Sequence, residues 1–311
     1  MSTLKFEVTL KIVLMLLILS LSTLNGCSTS SSIGLKHSQV PWQMNMSSAI
    51  DITASSPEML TNLQYSSVLA LPFRQFDQRI DYGSEPSQFG LLWYAEGDAK
   101  KRAPIIALIH GGCWLKAYDV SHTYALATEL SNQGFHVWNI EYRRSDQLNA
   151  SWPQSYQDIR RALVAMDQLA VDFNRIVLLG HSAGGHLGLL AASDKSLVAQ
   201  LPRLKAMVGL AAIIDIEQYA QGNNSCESAT QYFIGAPWPN QLTSYREANP
   251  IHRSMQIPIY LFQGKQDPIV GFPDVLPWPV SLFVDDKAGH FDWVHPKSSG
   301  FRYLVQQLKD I

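Results

Sequence analysis

The sequence predicts an α/β fold: one domain built on a mostly parallel central sheet, with helices packed on both faces. From about residue 88 to the C-terminus, short apolar runs alternate with amphipathic stretches of helical period. Strands separated by helices of this length are joined by parallel crossover connections. No internal repeat or change of composition divides the region, so a single domain over residues 49–311 is predicted.

The individual elements follow from local patterns. The predicted strands are the apolar runs 89–95, 105–109, 135–140, 175–179, 206–210, 259–262 and 281–284. The predicted helices are 122–133, a long one opened by Pro153, 183–193 and one at the C-terminus. Gly134 is expected to end the first of these helices. In the C-terminal helix one apolar stripe is formed by Phe301, Leu304, Val305 and Leu308.

Composition excludes several classes of protein. The chain has 311 residues, of which 46% are hydrophobic and 16% charged, so it is not a disordered or polyelectrolyte chain. Twenty-four basic residues stand against twenty-six acidic ones, which gives no electrostatic case for a nucleic-acid partner. The three cysteines have no CxxC spacing, so neither a disulfide scaffold nor a structural metal site is expected.

Residues 1–26 have the pattern of an export signal. Lys5 and Lys11 precede the apolar run 12–21, which is shorter than the about 20 residues of a membrane span. Leu24-Asn-Gly-Cys27 is similar to a bacterial lipobox, which implies acylation of Cys27. The Ser-rich residues 27–48 then predict a flexible tether. We expect an exported protein held in the cell envelope by lipid, at the outer membrane where there is one; simple secretion and an uncleaved anchor are the alternatives.

With Cys27 acylated, the two remaining thiols are Cys113 and Cys226, in an oxidising compartment. Their spacing carries no information about geometry, so a disulfide between them stays open. Two separate small buried residues are the favoured interpretation.

The segment Gly180-His-Ser-Ala-Gly184 fits the pattern G-x-S-x-G between a predicted strand and a predicted helix. A tight turn at that place needs small residues at both glycine positions. The turn lifts a serine hydroxyl above the sheet edge at a helix N-terminus, where developing negative charge is stabilised. Ser182 is therefore the predicted nucleophile.

A second motif, His110-Gly-Gly-Cys-Trp114, follows the strand 105–109 directly. Two glycines there allow bare backbone N–H groups to face a ligand, as an oxyanion hole requires. The expected donors are the amide of Ala183 and one amide from Gly111 or Gly112. His110 is expected to bond this loop rather than to act as an acid or base.

A serine nucleophile needs a base, and the base needs an orienting carboxylate. In a sheet of this type both come from the loops after the last two strands. Asp267 follows the strand 259–262 and His290 follows the strand 281–284, which makes them the predicted acid and base. Asp215 is the main alternative acid. The rival histidines, disfavoured by their chain positions, are His181, His186, His252 and His295, the last expected to start the final helix.

Together these motifs resemble the kynurenine formamidase and carboxylesterase branch of the α/β-hydrolases. The segments that carry the resemblance are HGGCW, EYRR (141–144), GHSAGGHL, GKQDP (264–268) and GHFDWVHP (289–296). The resemblance spans about residues 88–311 and implies an α/β-hydrolase fold, catalysis by Ser182, Asp267 and His290, an HGG oxyanion hole and no cofactor. One departure is the segment 269–279, whose three prolines exclude the regular helix that the family has there.

These inferences predict a serine hydrolase that cleaves a small or medium carboxylic ester through an acyl-enzyme. An N-formyl aryl amide, of the N-formylkynurenine type, is the second substrate class, because related folds change substrate by loop variation. A non-catalytic binding lipoprotein with the same fold is disfavoured by the complete triad, and a triacylglycerol lipase by the lack of an amphipathic lid helix. Candidates for the pocket wall are Trp114, Tyr118, Trp152 and Phe291. The oligomeric state has no signal in the sequence.

Overall fold

The computed structural model describes residues 49–53, 60–97, 102–145 and 152–311. The predicted export signal, the tether and Cys27 lie outside these ranges. Within them, no helix combines the length and the apolar character that crossing a membrane requires.

The described residues form one sheet of nine strands. The strands are β1 Ile50–Asp51, β2 Gln78–Asp81, β3 Phe89–Trp93, β4 Ala103–Ile109, β5 His136–Ile140, β6 Phe173–His181, β7 Leu204–Leu210, β8 Ile259–Gly264 and β9 Ser281–Asp285. Across the sheet their order is β1-β9-β8-β7-β6-β4-β5-β3-β2. β3 pairs antiparallel with both β2 and β5, and the other pairs are parallel. The predicted fold class, an α/β domain on a mostly parallel sheet, is confirmed.

The helices are α1 Tyr65–Leu69, α2 Tyr124–Asn132, α3 Gln154–Val164, α4 Ala183–Ser193, α5 Lys195–Gln200, α6 Ile216–Tyr219, α7 Ser225–Ile234, α8 Leu242–Glu247 and α9 Ser299–Asp310. Short 3-10 turns are Val120–Thr123, Ala165–Gln168, Pro250–His252 and Asp292–Val294.

The two faces of the sheet carry separate apolar layers. In β4 the alternating side chains divide between them, with Ile105 and Ile109 in the layer that contains α3 and α4, and Ile106 and Leu108 in the layer that contains α2 and α9. Strands covered on both faces are apolar throughout, which is why the central runs lack a polar side. The predicted stripe of the C-terminal helix is buried, as expected.

Several element boundaries differ from the sequence prediction. The helix opened by Pro153 ends at Val164 and continues as a 3-10 turn, and the last helix begins at Ser299 rather than at His295. The hydroxyl of Ser298 accepts the backbone N–H of Phe301 and so caps that helix. The segment between β8 and β9 contains no helix, in agreement with its prolines. Strands β1 and β2 and helices α1 and α5 to α8 were not predicted. Most of them have six residues or fewer and show no resolvable period, but α7, with ten residues, was missed although α2, with nine, was predicted.

Candidate active site

The serine lies on a strained turn between strand and helix. β6 ends at His181 and α4 begins at Ala183, so Ser182 is the single residue between them. Its φ of 53° and ψ of −119° fall outside the regions that side chains favour. A Cβ at Gly184 would overlap the carbonyl oxygen of Ile109, so the turn fits only against a bare glycine. The sequence motif thus produces the geometry that fixes Ser182 at the carboxyl edge of the sheet.

Two loops at the same edge bring Asp267 and His290 together. Nδ1 of His290 donates to Oδ2 of Asp267 at 2.8 Å, and the two side chains are 4% and 0% exposed. The other carboxylate oxygen accepts the backbone N–H groups of Ile269 and Val270, at 2.8 and 2.9 Å. Because Asp267 is held on one oxygen and binds the imidazole with the other, His290 carries its proton on Nδ1 and keeps Nε2 as a base.

Ser182 and His290 line one cavity of about 200 Å³. Its other lining residues are Tyr65, Gly112, Cys113, Tyr118, His122, His181, Ser225, Cys226, Ile269 and Phe291. A larger cavity of about 470 Å³, lined by residues 212–215 and 270–275 and by side chains of β8 and β9, contains the alternative acid Asp215 but none of Ser182, Asp267 and His290. The smaller cavity is therefore the candidate active site, since the predicted nucleophile and the predicted base both line it.

The predicted oxyanion donors lie around the serine. Ala183 is the first residue of α4, where a backbone N–H has no acceptor within the helix. Gly112 lines the cavity, and a Cβ placed on Gly111 would lie 3.0 Å from the Cβ of Ser182. The loop 110–118 and the start of α4 thus flank Ser182 from two sides, as stabilisation of a tetrahedral oxyanion requires.

The EYRR segment, residues 141–144, binds the loop 110–118 through polar side chains. Glu141 binds Nε2 of His110 at 3.0 Å and accepts the backbone N–H of Val120 at 3.1 Å. Arg144 donates to the carbonyl oxygens of Lys116 and Tyr118, at 2.9 and 2.7 Å. Burial acts to raise the pKa of Glu141, but its interactions with His110, with Arg144 and with the backbone N–H of Tyr142 outweigh burial and hold that pKa below its usual value. These hydrogen bonds and ion pairs therefore hold the oxyanion loop, residues 110–118, in place.

Two buried histidines surround the base. Nε2 of His181 donates to the carbonyl oxygen of His290 at 3.1 Å, and the two ring centroids are 4.7 Å apart. Nδ1 of His122 donates to the carbonyl oxygen of Asp119 at 3.1 Å. Burial lowers the pKa of His122 to about 3 and that of His181 well below its usual value. Both rings are neutral, so they add no positive charge beside His290.

Two of the four predicted wall residues line the cavity, namely Tyr118 and Phe291. Trp114 is fully buried and stacks on Phe233 at 4.6 Å. Trp152 packs against Phe233 as well, with ring centroids 6.0 Å apart. These two tryptophans belong to the core behind the site.

Sequence reasoning missed Tyr65, which lies on the cavity wall with its ring centroid 5.5 Å from those of both Tyr118 and Phe291. Its segment is fixed next to the base, because the carboxylate of Asp292 accepts the backbone N–H groups of Asn62 and Leu63 at 2.7 Å each. No sequence signal marked Tyr65, since α1 is only five residues long.

The alternative acid and the rival histidines have structural partners. The carboxylate of Asp215 caps α6 by accepting the N–H groups of Glu217 and Gln218, and it also binds Asn249 at 2.7 Å. His186 donates to the carbonyl oxygen of Ala248 at 2.7 Å. His252 pairs with Glu217 at 2.8 Å. None of these groups lines the cavity that holds Ser182.

The expectation that Cys113 and Cys226 are separate was wrong. They form a disulfide with a Cα–Cα distance of 5.1 Å, which joins the oxyanion loop to the first turn of α7. The two residues are 113 positions apart, and their meeting depends on where the segment after β7 folds back, which spacing does not encode. Elsewhere among the described residues, no group of His, Cys, Asp and Glu side chains could hold a metal ion.

The sequence model of the BD-FAE family matches residues 92–274, more than half of the chain. The matched stretch contains Ser182 and Asp267 and ends before His290.

Curated relatives are esterases. The chain is 26% identical to Esterase LipC of Mycobacterium tuberculosis over 209 residues, which are 62% of this chain and 51% of that protein. It is 27% identical to the probable carboxylic ester hydrolase LipM of the same organism over 200 residues, 58% of this chain and 46% of that one. The chain thus spans about half the length of the curated relatives it matches.

Solved structures share the fold. Esterase B from Lactobacillus rhamnosis superposes with a TM-score of 0.62 at 16% identity, over 79% of this chain and 88% of that one. A bacterial heroin esterase superposes with a TM-score of 0.61 at 17% identity, over 79% and 86%. At such identities the likeness concerns the fold, which is that of the α/β-hydrolases.

Proposed function

Since this chain belongs to the BD-FAE family of α/β-hydrolases, we propose that it is a serine esterase, which cleaves small or medium carboxylic esters through an acyl-enzyme. One observation carries the proposal: Ser182 and His290 line the same cavity, and His290 is bonded to the buried Asp267 at 2.8 Å. The names of the relatives, an esterase and a probable carboxylic ester hydrolase, support the same reaction class.

The first half-reaction forms the acyl-enzyme. Oγ of Ser182 attacks the ester carbonyl carbon while Nε2 of His290 takes the hydroxyl proton, and Asp267 stabilises the imidazolium that forms. Backbone amides of Ala183 and of Gly111 or Gly112 bind the oxyanion of the tetrahedral intermediate. When this intermediate collapses, the bond to the alcohol oxygen breaks and His290 gives its proton to the leaving alcohol.

The second half-reaction releases the acid. A water molecule loses its proton to Nε2 of His290 and attacks the acyl carbon, and the same amides bind the second oxyanion. Breaking the bond to Oγ returns the proton from His290 to Ser182, which restores the enzyme.

The cavity favours a compact substrate. Its volume is about 200 Å³, and aromatic side chains of Tyr65, Tyr118 and Phe291 supply much of the wall. Such a space suits a short acyl chain or a single ring. The motifs that resemble kynurenine formamidases keep an N-formyl aryl amide as the second substrate class, since the same triad and oxyanion hole serve both carbonyls.

A substrate panel tests the proposal. Purified protein is assayed on p-nitrophenyl esters of increasing acyl length and on N-formylkynurenine, with Ser182→Ala as the inactive control. We expect turnover of the short esters and none by the control. Turnover of N-formylkynurenine alone would reverse the order of the two substrates. A folded protein whose Ser182 takes no label from a fluorophosphonate, as read by mass mapping, would indicate a non-catalytic binding protein instead.

We also propose that the protein is exported and anchored to the cell envelope by lipid on Cys27. The lipobox-like residues 24–27, which follow a basic and then an apolar stretch, support this placement. Cys27→Ala should shift the protein from the membrane fraction to the soluble fraction of the producing cells. A variant that stays in the membrane fraction would point to an uncleaved anchor.

A further inference from the structure

The loop that follows β4 turns back sharply at three successive residues. Gly112, Cys113 and Trp114 have φ values of 110°, 53° and 57°. The left-handed region is unfavourable for residues with a side chain, so Cys113 and Trp114 hold it only while their surroundings enforce it. Gly112 belongs to this turn and Gly111 directly precedes it, so the shape of the turn affects the proposed oxyanion amide in either case.

Helix α7 contacts the turn at two points. Cys113 is bonded to Cys226, and the ring of Trp114 stacks on that of Phe233 at 4.6 Å with an angle of 17° between the planes. Cys226 and Phe233 are seven residues apart, so they lie on the same face of the helix. Two consecutive residues of the turn are thus held by one helix face.

The disulfide and the aromatic stack lie in different surroundings. Both cysteines, together with Ser225, line the catalytic cavity, whereas Phe233 and Trp114 are fully buried in the core. The disulfide is accordingly the contact next to the reacting groups, and the aromatic stack is the contact that belongs to the fold. The stack does not depend on the Sγ–Sγ bond, so we expect it to persist when that bond is broken.

We propose that the Cys113–Cys226 disulfide positions the oxyanion loop, so that its reduction lowers turnover while the fold persists. A dithiol breaks the Sγ–Sγ bond by supplying two electrons and two protons; both cysteines become thiols, and the dithiol closes to its own disulfide. The turn at residues 112–114 then relaxes, and its amide no longer stays in place for the oxyanion. The turnover effect rests on the proposed esterase function.

The kinetic test compares oxidised and dithiothreitol-reduced protein at 25 °C on one short ester. Removing an oxyanion donor costs about 100- to 1000-fold in turnover, so loosening one predicts a decrease in kcat of about tenfold or more. Because this contact forms in the transition state, KM should change by less than about twofold. Reoxidation should restore kcat.

The double variant Cys113→Ser with Cys226→Ser is the matched control. It should have the low kcat of the reduced wild type and no response to dithiothreitol. A double variant as active as the oxidised wild type would overturn the proposal, because the reductant would then act elsewhere. An unchanged kcat after full reduction, with two additional thiols titrated, would overturn it as well.

Hydrogen exchange gives a readout that does not depend on catalysis. On reduction, backbone amides in 110–116 and in the first turn of α7 should exchange faster, while those of α9 should keep their protection. Equal protection of residues 110–116 in both redox states would refute the positioning role even if the oxidised protein hydrolysed no ester. Inactivity of the oxidised protein on every ester refutes only the proposed function.

Discussion

At the scale of single residues, the site depends on which hydrogen bond each titratable group makes. Asp267 and Asp215 are both carboxylates near the carboxyl edge of the sheet, but they differ in their partners. Asp267 binds the imidazole of His290 and two backbone amides, whereas Asp215 caps α6 and binds Asn249. Their partners, rather than their positions in the chain, distinguish Asp267, the proposed acid, from Asp215, a helix cap.

Asp267→Asn should lower kcat by about four orders of magnitude with little loss of stability. The side-chain carbonyl of the asparagine still accepts the N–H groups of Ile269 and Val270, but its amide donates to His290 and forces the proton onto Nε2. The measurement is kcat on a short ester together with the melting temperature. Asp215→Asn is the matched control, because asparagine also caps helices well; its activity should stay within about threefold of the wild type, and a large decrease there would favour Asp215 as the acid.

At the scale of elements, the segment that follows β5 holds the oxyanion loop through hydrogen bonds. Two adjacent arginines of this segment, Arg143 and Arg144, bind different partners. Arg144 donates to carbonyl oxygens of the loop, whereas Arg143 pairs with the buried Asp158 of α3 at 2.7 Å. Each arginine pairs with a buried carboxylate, Arg144 with Glu141 at 3.0 Å, so both positions affect stability, but only Arg144 is expected to affect catalysis.

Arg144→Ala should decrease kcat by about tenfold to a hundredfold, because the loop carbonyls lose their donor and the oxyanion amide is less well placed. Arg143→Ala should instead cost about 2 to 3 kcal/mol of unfolding free energy and leave kcat close to that of the wild type, since it removes a partner of the buried carboxylate of Asp158, which does not line the catalytic cavity. Urea unfolding and steady-state kinetics of both variants measure the difference. Equal losses of kcat in the two variants would contradict a specific role of Arg144.

Elements that carry an uninterrupted apolar run or a motif could be predicted from the sequence, and elements without either, among them α7 with ten residues, could not. The central strands and α4 follow from uninterrupted apolar runs and from the G-x-S-x-G turn, and the triad follows from the fixed order of loops at one sheet edge. Tyr65 could not be predicted, because its short helix is tied to the site through Asp292, a contact between residues some 230 positions apart. The disulfide was mispredicted for the same reason, since its partners meet only in the folded chain.

At the scale of the whole molecule, buried neutral histidines link stability to pH. Burial lowers the pKa of His186 to about 4, that of His122 to about 3, and that of His181 well below its usual value. An unfolded histidine binds a proton near pH 6.5. Below that pH, down to the pKa in the folded protein, the unfolded state binds more protons and is favoured as the pH falls.

The free energy of unfolding should therefore decrease from about pH 6.5 to about pH 4, by about 1.4 kcal/mol per pH unit for each fully buried histidine. Urea titrations at pH 7.5, 6.0 and 5.0 measure this slope. The His186→Gln variant keeps a donor for the carbonyl oxygen of Ala248 but lacks the titrating ring. Its decrease in unfolding free energy per pH unit should therefore be smaller than that of the wild type by about 1.4 kcal/mol, the contribution of one buried histidine. A wild-type stability that stays flat over this range would contradict neutral burial of the three rings.

The aromatic wall has two contributors, Tyr65 and Phe291, that lie outside residues 92–274, the stretch shared with the family. The proposed base His290 lies outside that stretch as well, so the C-terminal flank contains both a reacting group and part of the wall, whereas Tyr65 in the N-terminal flank belongs to the wall alone. Changes confined to the segment around Tyr65 should therefore alter which substrates fit the cavity without removing a member of the proposed triad. Grafting residues 60–73 from one family member onto another is, for the same reason, a short route to exchanging their preferences.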